Sequence, residues 1–190
     1  MAKVKLNPVL EGFRGKIGDL VFRRYNDEVI VGQRPDRSGH EPTAGQVAHQ
    51  EQFKLAVVYG RTALADPETK ALYEAAAHAK GQPVFSLTVA DFFTHPAVDE
   101  IDLSGYAGHA GEKIHIQAHD DFEVAGVGVR ILDTNGAVLE QGSAALNGNG
   151  PAAWVYQATT SLTQGQAVTI EVTATDRPGH KATKTAAKPY

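Results

Sequence analysis

The chain contains no cysteine. Disulfide bonds, thiol catalysis and metal sites with cysteine ligands are therefore excluded. It also has no apolar run near the roughly 18 residues that cross a bilayer, so we predict no membrane span. The opening residues, MAKVKLNPVLEGF, lack the apolar segment of a signal peptide. We therefore expect a protein that is cytoplasmic, or part of a phage-like or extracellular assembly exported without an N-terminal signal.

Catalytic patterns are missing as well. The chain has no G-x-S-x-G nucleophile elbow and no H-E-x-x-H zinc motif. A pair of carboxylates acting on glycosides is compatible with the residue types, but nothing marks a cleft for them. We therefore predict a protein that is not an enzyme and that requires no cofactor.

The charge of the chain is unevenly distributed. The net charge is −4, yet residues 1–37 carry eight Lys or Arg against five Asp or Glu. That segment is therefore +3, and the remainder of the chain is −7. A basic segment joined to an acidic body can bind an external polyanion or the acidic surface of a neighbouring copy.

The N-terminal region, residues 1–96, is expected to form a β-hairpin arm followed by a small helical domain. β-Branched and aromatic residues flank Asn26-Asp27, which predicts a hairpin over residues 18–34. Thr43 and Gln46 form a T-x-x-Q capping box at the start of a helix. Asp66-Pro67 opens a second helix that ends at Gly81.

A third helix is expected to start with Ser86 as its cap and to stop before Pro96. Because the helices are rich in alanine, large side chains must supply most of the bulk of their core. Those side chains are Phe53, Leu72, Tyr73, Phe85, Phe92 and Phe93.

The C-terminal region, residues 97–190, has the composition and turn spacing that predict a β-sandwich. Thr, Val and Ile become frequent, and turn signals recur every 8–12 residues. Thr134-Asn135-Gly136 predicts a tight hairpin, and Trp154 is the expected anchor of the core. The predicted strands lie at about 98–104, 112–118, 126–133, 137–143, 152–160, 166–175 and 180–186. The whole chain is therefore predicted to be α+β with two domains.

Two stretches of this region resemble bacterial immunoglobulin-like domains: DDFEVAGVGVRILDTNG (120–136) and VTIEVTATDRPGHKATKT (168–185). The resemblance covers residues 97–186 and implies an immunoglobulin-like β-sandwich. It implies no particular function, because such folds serve adhesion, spacing and assembly alike. The N-terminal half is more loosely similar to uncharacterised bacterial proteins with a G-x-x-G-K-x-G-x-x-V-F start, and that similarity implies no site.

The glycine–lysine start is only half a phosphate-binding loop. In a Walker A motif the lysine is followed by Ser or Thr and then by a helix. Here Lys16 is followed by Ile17 and by a predicted strand. A turn at the foot of the hairpin is the favoured interpretation. Arg23 and Arg24 beside aromatic residues are a candidate contact for nucleic acid. Adjacent strand residues point to opposite faces, however, and acidic residues intervene, so nucleic acid is the least favoured partner.

Two groups of residues are candidate metal sites, and each also has a simpler structural interpretation. His115 and His119 would lie about 13 Å apart on a strand at ~3.3 Å per residue, too far to share one ion. Asp120, Asp121 and Asp176 lie in loops expected at the same end of a sandwich, where three carboxylates could bind Ca²⁺. The alternative is that each Asp caps its own turn.

The function predicted from these observations is non-enzymatic self-assembly. The chain would be a subunit of a filament, a phage-like or virion particle, or a surface layer, with its arm docked on the next copy or on another structural protein. The alternative is a monomeric immunoglobulin-like module that binds a protein or glycan through loops 119–125, 147–151 and 176–180. The arm residues expected to make the contact are Phe22, Arg23, Arg24, Tyr25, Val29, Ile30 and Val31.

Overall fold

The computed structural model describes residues 2–4, 14–25, 28–35, 39, 41–148, 150, 152–163 and 165–188, with backbone alone at 2–4, 24, 25 and 28. The chain forms two compact units, Met1–Val47 and Ala48–Tyr190. The predicted division at residue 96 follows the change from helices to strands. The compact units instead divide after Val47, because the helices pack against the strands of residues 97–188, which are called the β region.

The N-terminal unit is built on a four-stranded antiparallel sheet. Its strands are β1 (Ala2–Val4), β2 (Gly15–Ile17), β3 (Leu20–Tyr25) and β4 (Glu28–Gln33), arranged β1-β4-β3-β2. The predicted hairpin is therefore confirmed as β3 and β4, while its Asn26-Asp27 turn lies outside the described residues.

Three helices follow: α1 (Ala44–Ala65), α2 (Pro67–Lys80) and α3 (Val84–Phe93). The capping box is confirmed, since Gln46 Oε1 accepts from the Thr43 N–H at 2.9 Å and Thr43 Oγ1 accepts from the Gln46 N–H at 3.3 Å. Asp66 caps α2, and Gly81 ends it in the left-handed conformation with φ of 63°. The predicted start of α3 is wrong: Pro83 holds the cap position, and Ser86 lies inside the helix.

The packing of the helices differs from the expectation that large side chains fill their core. Tyr73 is fully buried, but Phe53, Leu72 and Phe85 are each exposed by at least two fifths. Alanine and glycine occupy the buried positions of α1 instead, and its backbone approaches α3 closely at Gly60. The buried residues of α1 are Ala56, Gly60 and Ala63.

Gly60 is the tightest point of this packing. A Cβ atom there would lie 2.6 Å from Thr88 Oγ1 and 3.2 Å from Phe85 Cε2. Thr88 is fully buried, and its hydroxyl donates to the Phe85 carbonyl at 2.8 Å. The side chain therefore has little room to move away.

We expect Gly60→Ala to lower the free energy of unfolding by about 1–3 kcal/mol through overpacking, although alanine favours an exposed helix by about 1 kcal/mol. Gly45→Ala in the same helix is the matched control, because its Cβ would have no atom within 4 Å. Urea denaturation should show the control equal to or more stable than the parent. Equal stability of the two variants would contradict the close approach.

The β region contains seven strands that all pair antiparallel: β5 (Ala97–Asp102), β6 (Lys113–His119), β7 (Val124–Leu132), β8 (Val138–Leu146), β9 (Ala153–Gln157), β10 (Val168–Asp176) and β11 (Lys181–Lys188). Their number and positions agree with the sequence prediction. They follow the order β11-β10-β7-β8-β9-β6-β5. With the three helices, they make the fold α+β.

The seven-stranded sheet curves until its two edge strands approach each other, so that it nearly closes into a barrel. Strand β8 runs beside β7 but pairs with β9 only at Ala145 and Leu146. At the seam, lysine side chains of β11 reach carbonyl groups of the β5 side: Lys184 Nζ donates to the Asp99 carbonyl, and Lys188 Nζ donates to the Leu103 carbonyl at 2.9 Å.

Alternation along the strands places one apolar face inside this curved sheet. The pattern is clearest in β10, where every second residue from Val168 to Asp176 is buried. Trp154 lies in this core, as predicted, together with Tyr156 on the same strand face. The fully buried centre consists of Tyr106, Ile114, Ala118, Ile131, Ile170, Val172 and Ala174.

Glu140 of β8 is a buried carboxylate within the β region. Glu140 Oε1 accepts from the Tyr156 hydroxyl at 2.7 Å, from the Thr159 N–H at 2.6 Å and from the Thr159 hydroxyl at 2.9 Å. Its Oε2 accepts from the Thr160 N–H at 3.1 Å. Glu140 therefore fixes the chain that follows β9 against β8.

Candidate functional site

The four-stranded sheet of β1 to β4, called the arm sheet, carries one apolar face. Directly paired residues of antiparallel strands share a face, and Phe22 pairs with Val31 while Leu20 pairs with Ile17 and Gln33. Val29 lies two residues from Val31 and therefore on the same side. The predicted contact residues Phe22, Val29 and Val31 are thus brought together.

The remaining predicted arm residues are divided between the two faces by the register. Arg23 pairs with Ile30 on the opposite face from Phe22. Arg24 pairs with Val29, and Tyr25 pairs with Glu28, but the side chains of Arg24 and Tyr25 lie outside the described residues. The sequence prediction that the two arginines point to opposite faces agrees with this register.

Two residues that the sequence prediction did not select extend the apolar face. Ile17 is 52% exposed and Leu20 is 46% exposed, whereas Val29 is buried. Both belong to the β2–β3 end of the sheet, and β2 pairs with β3 alone among the strands described. Only the pairing of β2 with β3 reveals that Ile17 continues this face.

The glycine–lysine start forms the β2–β3 turn rather than a phosphate cradle. Gly15 has φ of 103° and opens β2, and Gly18 has φ of 56° in the turn before β3. Lys16 lies within β2 and pairs with Val21. Gly12 lies outside the described residues.

The loops that carry the calcium candidates meet at the end of the β region next to the helices. Arg177 Nε donates to Glu123 Oε2 at 2.5 Å, joining the two loops. Asp120 Oδ1 accepts from the Phe122 N–H at 2.9 Å. Asp176 accepts from the N–H groups of Gly179 and His180 at 2.7 and 2.6 Å. Each of these two Asp residues thus caps its own turn.

The third candidate, Asp121, is exposed, and its backbone carbonyl accepts from Lys80 Nζ at 2.9 Å. In the described part of the chain no group of three His, Asp or Glu side chains is placed to hold a metal ion. In the same part, no helix has the length and apolar character needed to cross a membrane.

A buried polar chain, not foreseen from the sequence, links the three helices. The Tyr73 hydroxyl of α2 donates to Asp91 Oδ2 of α3. The Tyr59 hydroxyl of α1 lies 2.7 Å from the Tyr73 hydroxyl. Because Tyr73 has one hydroxyl hydrogen, Tyr59 is the donor in that second bond.

The polar chain is covered by residues of the β region. The Phe122 ring stacks on Tyr73 with centroids 4.1 Å apart and an angle of 8° between the planes. His180 packs edge-on against Phe92 with ring centroids 5.3 Å apart, and its Nδ1 donates to Asp176 Oδ2 at 2.8 Å. These contacts join the helices and strands into one unit.

Burial raises the pKa of Asp91 to about 6, and the negative charges of Asp120 and Asp176 add to the rise. The hydrogen bond from Tyr73 lowers the pKa of Asp91, but by less than burial raises it. Asp91 is 3% exposed, and its Oδ1 has no hydrogen-bond partner in the described structure. This carboxyl oxygen is therefore an unsatisfied buried acceptor.

A small cavity of about 140 Å³ lies beside Asp91. Leu87, Ala90 and Phe122 contribute apolar walls, while Lys80 and Asp121 add charged groups to the lining. A larger depression of about 590 Å³ lies on the β region, with Asp102, His115, Gln117 and Asn147 in its lining.

Comparison with known proteins gives only weak structural similarities. No protein-family model matches the chain, and no curated protein matches it. Among solved structures, CopC from Methylosinus trichosporium OB3b aligns with 17% identity and a TM-score of 0.37, covering 49% of this chain and 90% of CopC. An engineered protein aligns with 21% identity and a TM-score of 0.35, covering 56% of this chain and 26% of its own. The function proposed below therefore rests on the chain's own geometry.

Proposed function

We propose that the protein is a non-enzymatic structural subunit that assembles head to tail through its N-terminal sheet. The observation that carries this proposal is the apolar face of that sheet, which exposes half of Ile17 and of Leu20. Exposed apolar side chains that are grouped on one face are typical of a protein interaction surface. Among the described strands β2 lies at an edge of the sheet, where an added strand can form main-chain hydrogen bonds.

A second apolar surface on the same chain supplies a docking partner for this face. Leu55 and Val58 of α1 are each 60% exposed, and they lie three residues apart on one side of the helix. The buried Ala56, Gly60 and Ala63 lie on the other side. An arm of one copy placed on α1 of the next is a heterologous contact, which makes rings or open filaments.

The charge of the chain favours the same arrangement. The basic segment 1–37 would meet a body of net charge −7 in the next copy. Complementary charges of this kind set the register and the rate of association more than the affinity. The affinity would come from the apolar contact.

We expect the double variant Ile17→Asp, Leu20→Asp to be a monomer of 20.2 kDa in light scattering, while the parent chain forms larger species. Ile17→Leu with Leu20→Met is the matched control, because it keeps the apolar area and should assemble normally. Negative-stain microscopy of the parent would identify a ring or a filament. A parent chain that stays monomeric at high concentration would overturn the proposal.

A mixing experiment tests the head-to-tail direction. The variant Leu55→Asp, Val58→Asp should also fail to assemble alone, because its acceptor surface is lost. When the two variants are mixed, the unaltered arm of the α1 variant can dock on the unaltered α1 surface of the arm variant. The mixture should therefore give a dimer of about 40 kDa and nothing larger. If the mixture gives no dimer, the arm does not dock on α1.

The strand order supports an immunoglobulin-like assignment for the β region. Lettering β5 to β11 as A to G turns the order into G-F-C-D-E-B-A. The groups G-F-C and E-B-A correspond to the strands that form the two sheets of an immunoglobulin constant domain. Strand β8, as strand D, would join the two groups.

The alternative function, a monomeric binding module, is favoured by the depression on the β region. Its carboxylate, amides and imidazole come from Asp102, Gln117, Asn147 and His115. Side chains of these types can hydrogen-bond the hydroxyl groups of a glycan. A chain that is monomeric in light scattering and retained on an immobilised glycan would select this function over assembly.

A further inference from the structure

Three Asn-Gly pairs occur in the chain, at 135–136, 147–148 and 149–150. Asparagine is a chemically labile residue, and a following glycine has no side chain to shield the backbone nitrogen that attacks the asparagine amide. The attack requires this nitrogen to give up any hydrogen bond that its N–H donates and to turn toward the side chain. The hydrogen bonds around each pair therefore decide which asparagine reacts in the folded protein.

The pair of Asn135 and Gly136 is held by hydrogen bonds on both sides. The Gly136 N–H donates to the Asp133 carbonyl at 3.0 Å. The Asp133 carboxylate accepts from the N–H groups of Asn135 and Ala137 at 2.8 and 2.7 Å. Attack by the Gly136 nitrogen would break the first bond and disturb the other two, so the turn protects Asn135.

The pair of Asn147 and Gly148 is held by fewer bonds. The backbone N–H of Asn147 donates to the Ala153 carbonyl at 2.9 Å, which fixes the residue that follows β8. Neither the side-chain amide of Asn147 nor the Gly148 N–H has a hydrogen-bond partner among the residues that the structure describes. A Cβ atom on Gly148 would meet no described atom within 4 Å. The attacking nitrogen is therefore both free and accessible.

We propose that Asn147 is a site of spontaneous deamidation, which changes the charge of the depression that Asn147 lines together with Asp102. The Gly148 nitrogen attacks Cγ of Asn147, and the new C–N bond closes a cyclic succinimide. The side-chain nitrogen leaves as ammonia, taking up the proton that the Gly148 nitrogen loses. Water then opens the ring at either carbonyl and gives aspartate or isoaspartate at position 147.

The product differs from the parent chain in charge and in backbone length. A carboxylate at position 147 lies in the same lining as Asp102, has no N–H₂ donor and makes the net charge one unit more negative than −4. Isoaspartate also inserts one carbon into the backbone beside the bond to Ala153. The depression therefore becomes more acidic as the molecule ages, whether the protein assembles or stays monomeric.

The experiment incubates the full chain at pH 8 and follows each asparagine separately. Cleavage after Glu140 and Glu171 separates the peptide with Asn135 from the peptide that carries Asn147 and Asn149. Fragmentation mass spectrometry then assigns each conversion of amide to acid to one residue. We expect Asn147 to react faster than Asn135 by about two- to tenfold, the factor that one net hydrogen bond contributes.

Three controls show whether the fold causes this difference. In concentrated urea the hydrogen bonds of the turn are lost, so Asn135 and Asn147 should react at similar rates. Asp133→Ala removes the carboxylate that holds the turn and should accelerate the reaction of Asn135, while Asn147→Gln should abolish the change at position 147 alone. Equal rates in the folded parent, a difference that persists in urea, or no acceleration in a folded Asp133→Ala protein would each overturn the proposal.

Discussion

Glu140→Ala is expected to lower the free energy of unfolding by about 3 kcal/mol, because a buried donor left without an acceptor costs about 1–3 kcal/mol. The variant leaves four donors without an acceptor: the Tyr156 hydroxyl, the Thr159 hydroxyl and the N–H groups of Thr159 and Thr160. Glu140 is 6% exposed, so water cannot readily replace the carboxylate. Urea denaturation at pH 7 measures the loss.

Two variants bracket this result. Glu171→Ala removes a carboxylate whose salt bridge to Arg130, at 2.8 Å, lies on the surface, so it should cost at most about 1 kcal/mol. Glu140→Gln keeps an acceptor for Tyr156 and Thr159 but turns an N–H₂ group toward another donor, so its loss should fall between the two. If Glu140→Ala costs no more than Glu171→Ala, the buried network contributes little.

The same carboxylate should make the β region sensitive to acid. Burial tends to raise the pKa of Glu140, but hydrogen bonds from Thr159, Tyr156 and Thr160 outweigh it and hold the pKa below the usual 4.5. A folded-state pKa below the unfolded value stabilises the protein above that unfolded value. The contribution is lost as the pH falls through the folded-state pKa.

Asp91 is expected to give the opposite pH dependence. Its pKa is about 6 in the folded protein against the usual 3.8. Because the folded-state value is raised, the stabilising contribution is fully present below about 3.8 and is lost as the pH rises through about 6. At 1.36 kcal/mol per unit, the difference reaches up to about 3 kcal/mol.

The experiment is the difference in unfolding free energy between the parent and Asp91→Asn, measured from pH 4 to pH 7.5. The groups that surround Asp91 are present in both proteins, and they are Asp120, Asp176, His180 and the hydroxyls of Tyr59 and Tyr73. Their contributions to the pH dependence therefore cancel when the two unfolding free energies are subtracted. Relative to Asp91→Asn, the parent should become more stable toward acid pH, with most of the change between pH 4 and 6. A difference that stays constant would show that Asp91 does not titrate in this range.

Features set by neighbouring residues were predictable from the sequence. The capping box of Thr43 and Gln46, the cap of α2 at Asp66 and the left-handed Gly81 depend only on residues a few positions apart. The alternation of β10 likewise marks its buried face without knowledge of its partners. The hairpin at Asn135-Gly136 belongs to the same class, with Gly136 at φ of 83°.

Features set by distant pairing were not predictable in this way. Ile17 joins the apolar arm face only because β2 pairs with β3 in one register. Tyr59, Tyr73 and Asp91 come from three different helices, and no spacing in the chain indicates that they meet. Phe53, Leu72 and Phe85 were expected in the core because of their size, but close packing at Gly60 leaves less room for large side chains between the helices.

The lysine seam of the β region has a consequence for how copies of the protein can meet. Lys184 and Lys188 donate hydrogen bonds to the carbonyl groups of Asp99 and Leu103. These carbonyl groups lie at the edge of the sheet that β5 forms. Charged side chains on an edge discourage a foreign strand from pairing there and so protect against aggregation. Strand β2 lies at one edge of the described arm sheet and has exposed Lys16 beside exposed Ile17. The lysine contacts therefore disfavour addition of a foreign strand to the larger sheet beside β5, and in the proposed assembly the added strand would pair with the arm sheet instead.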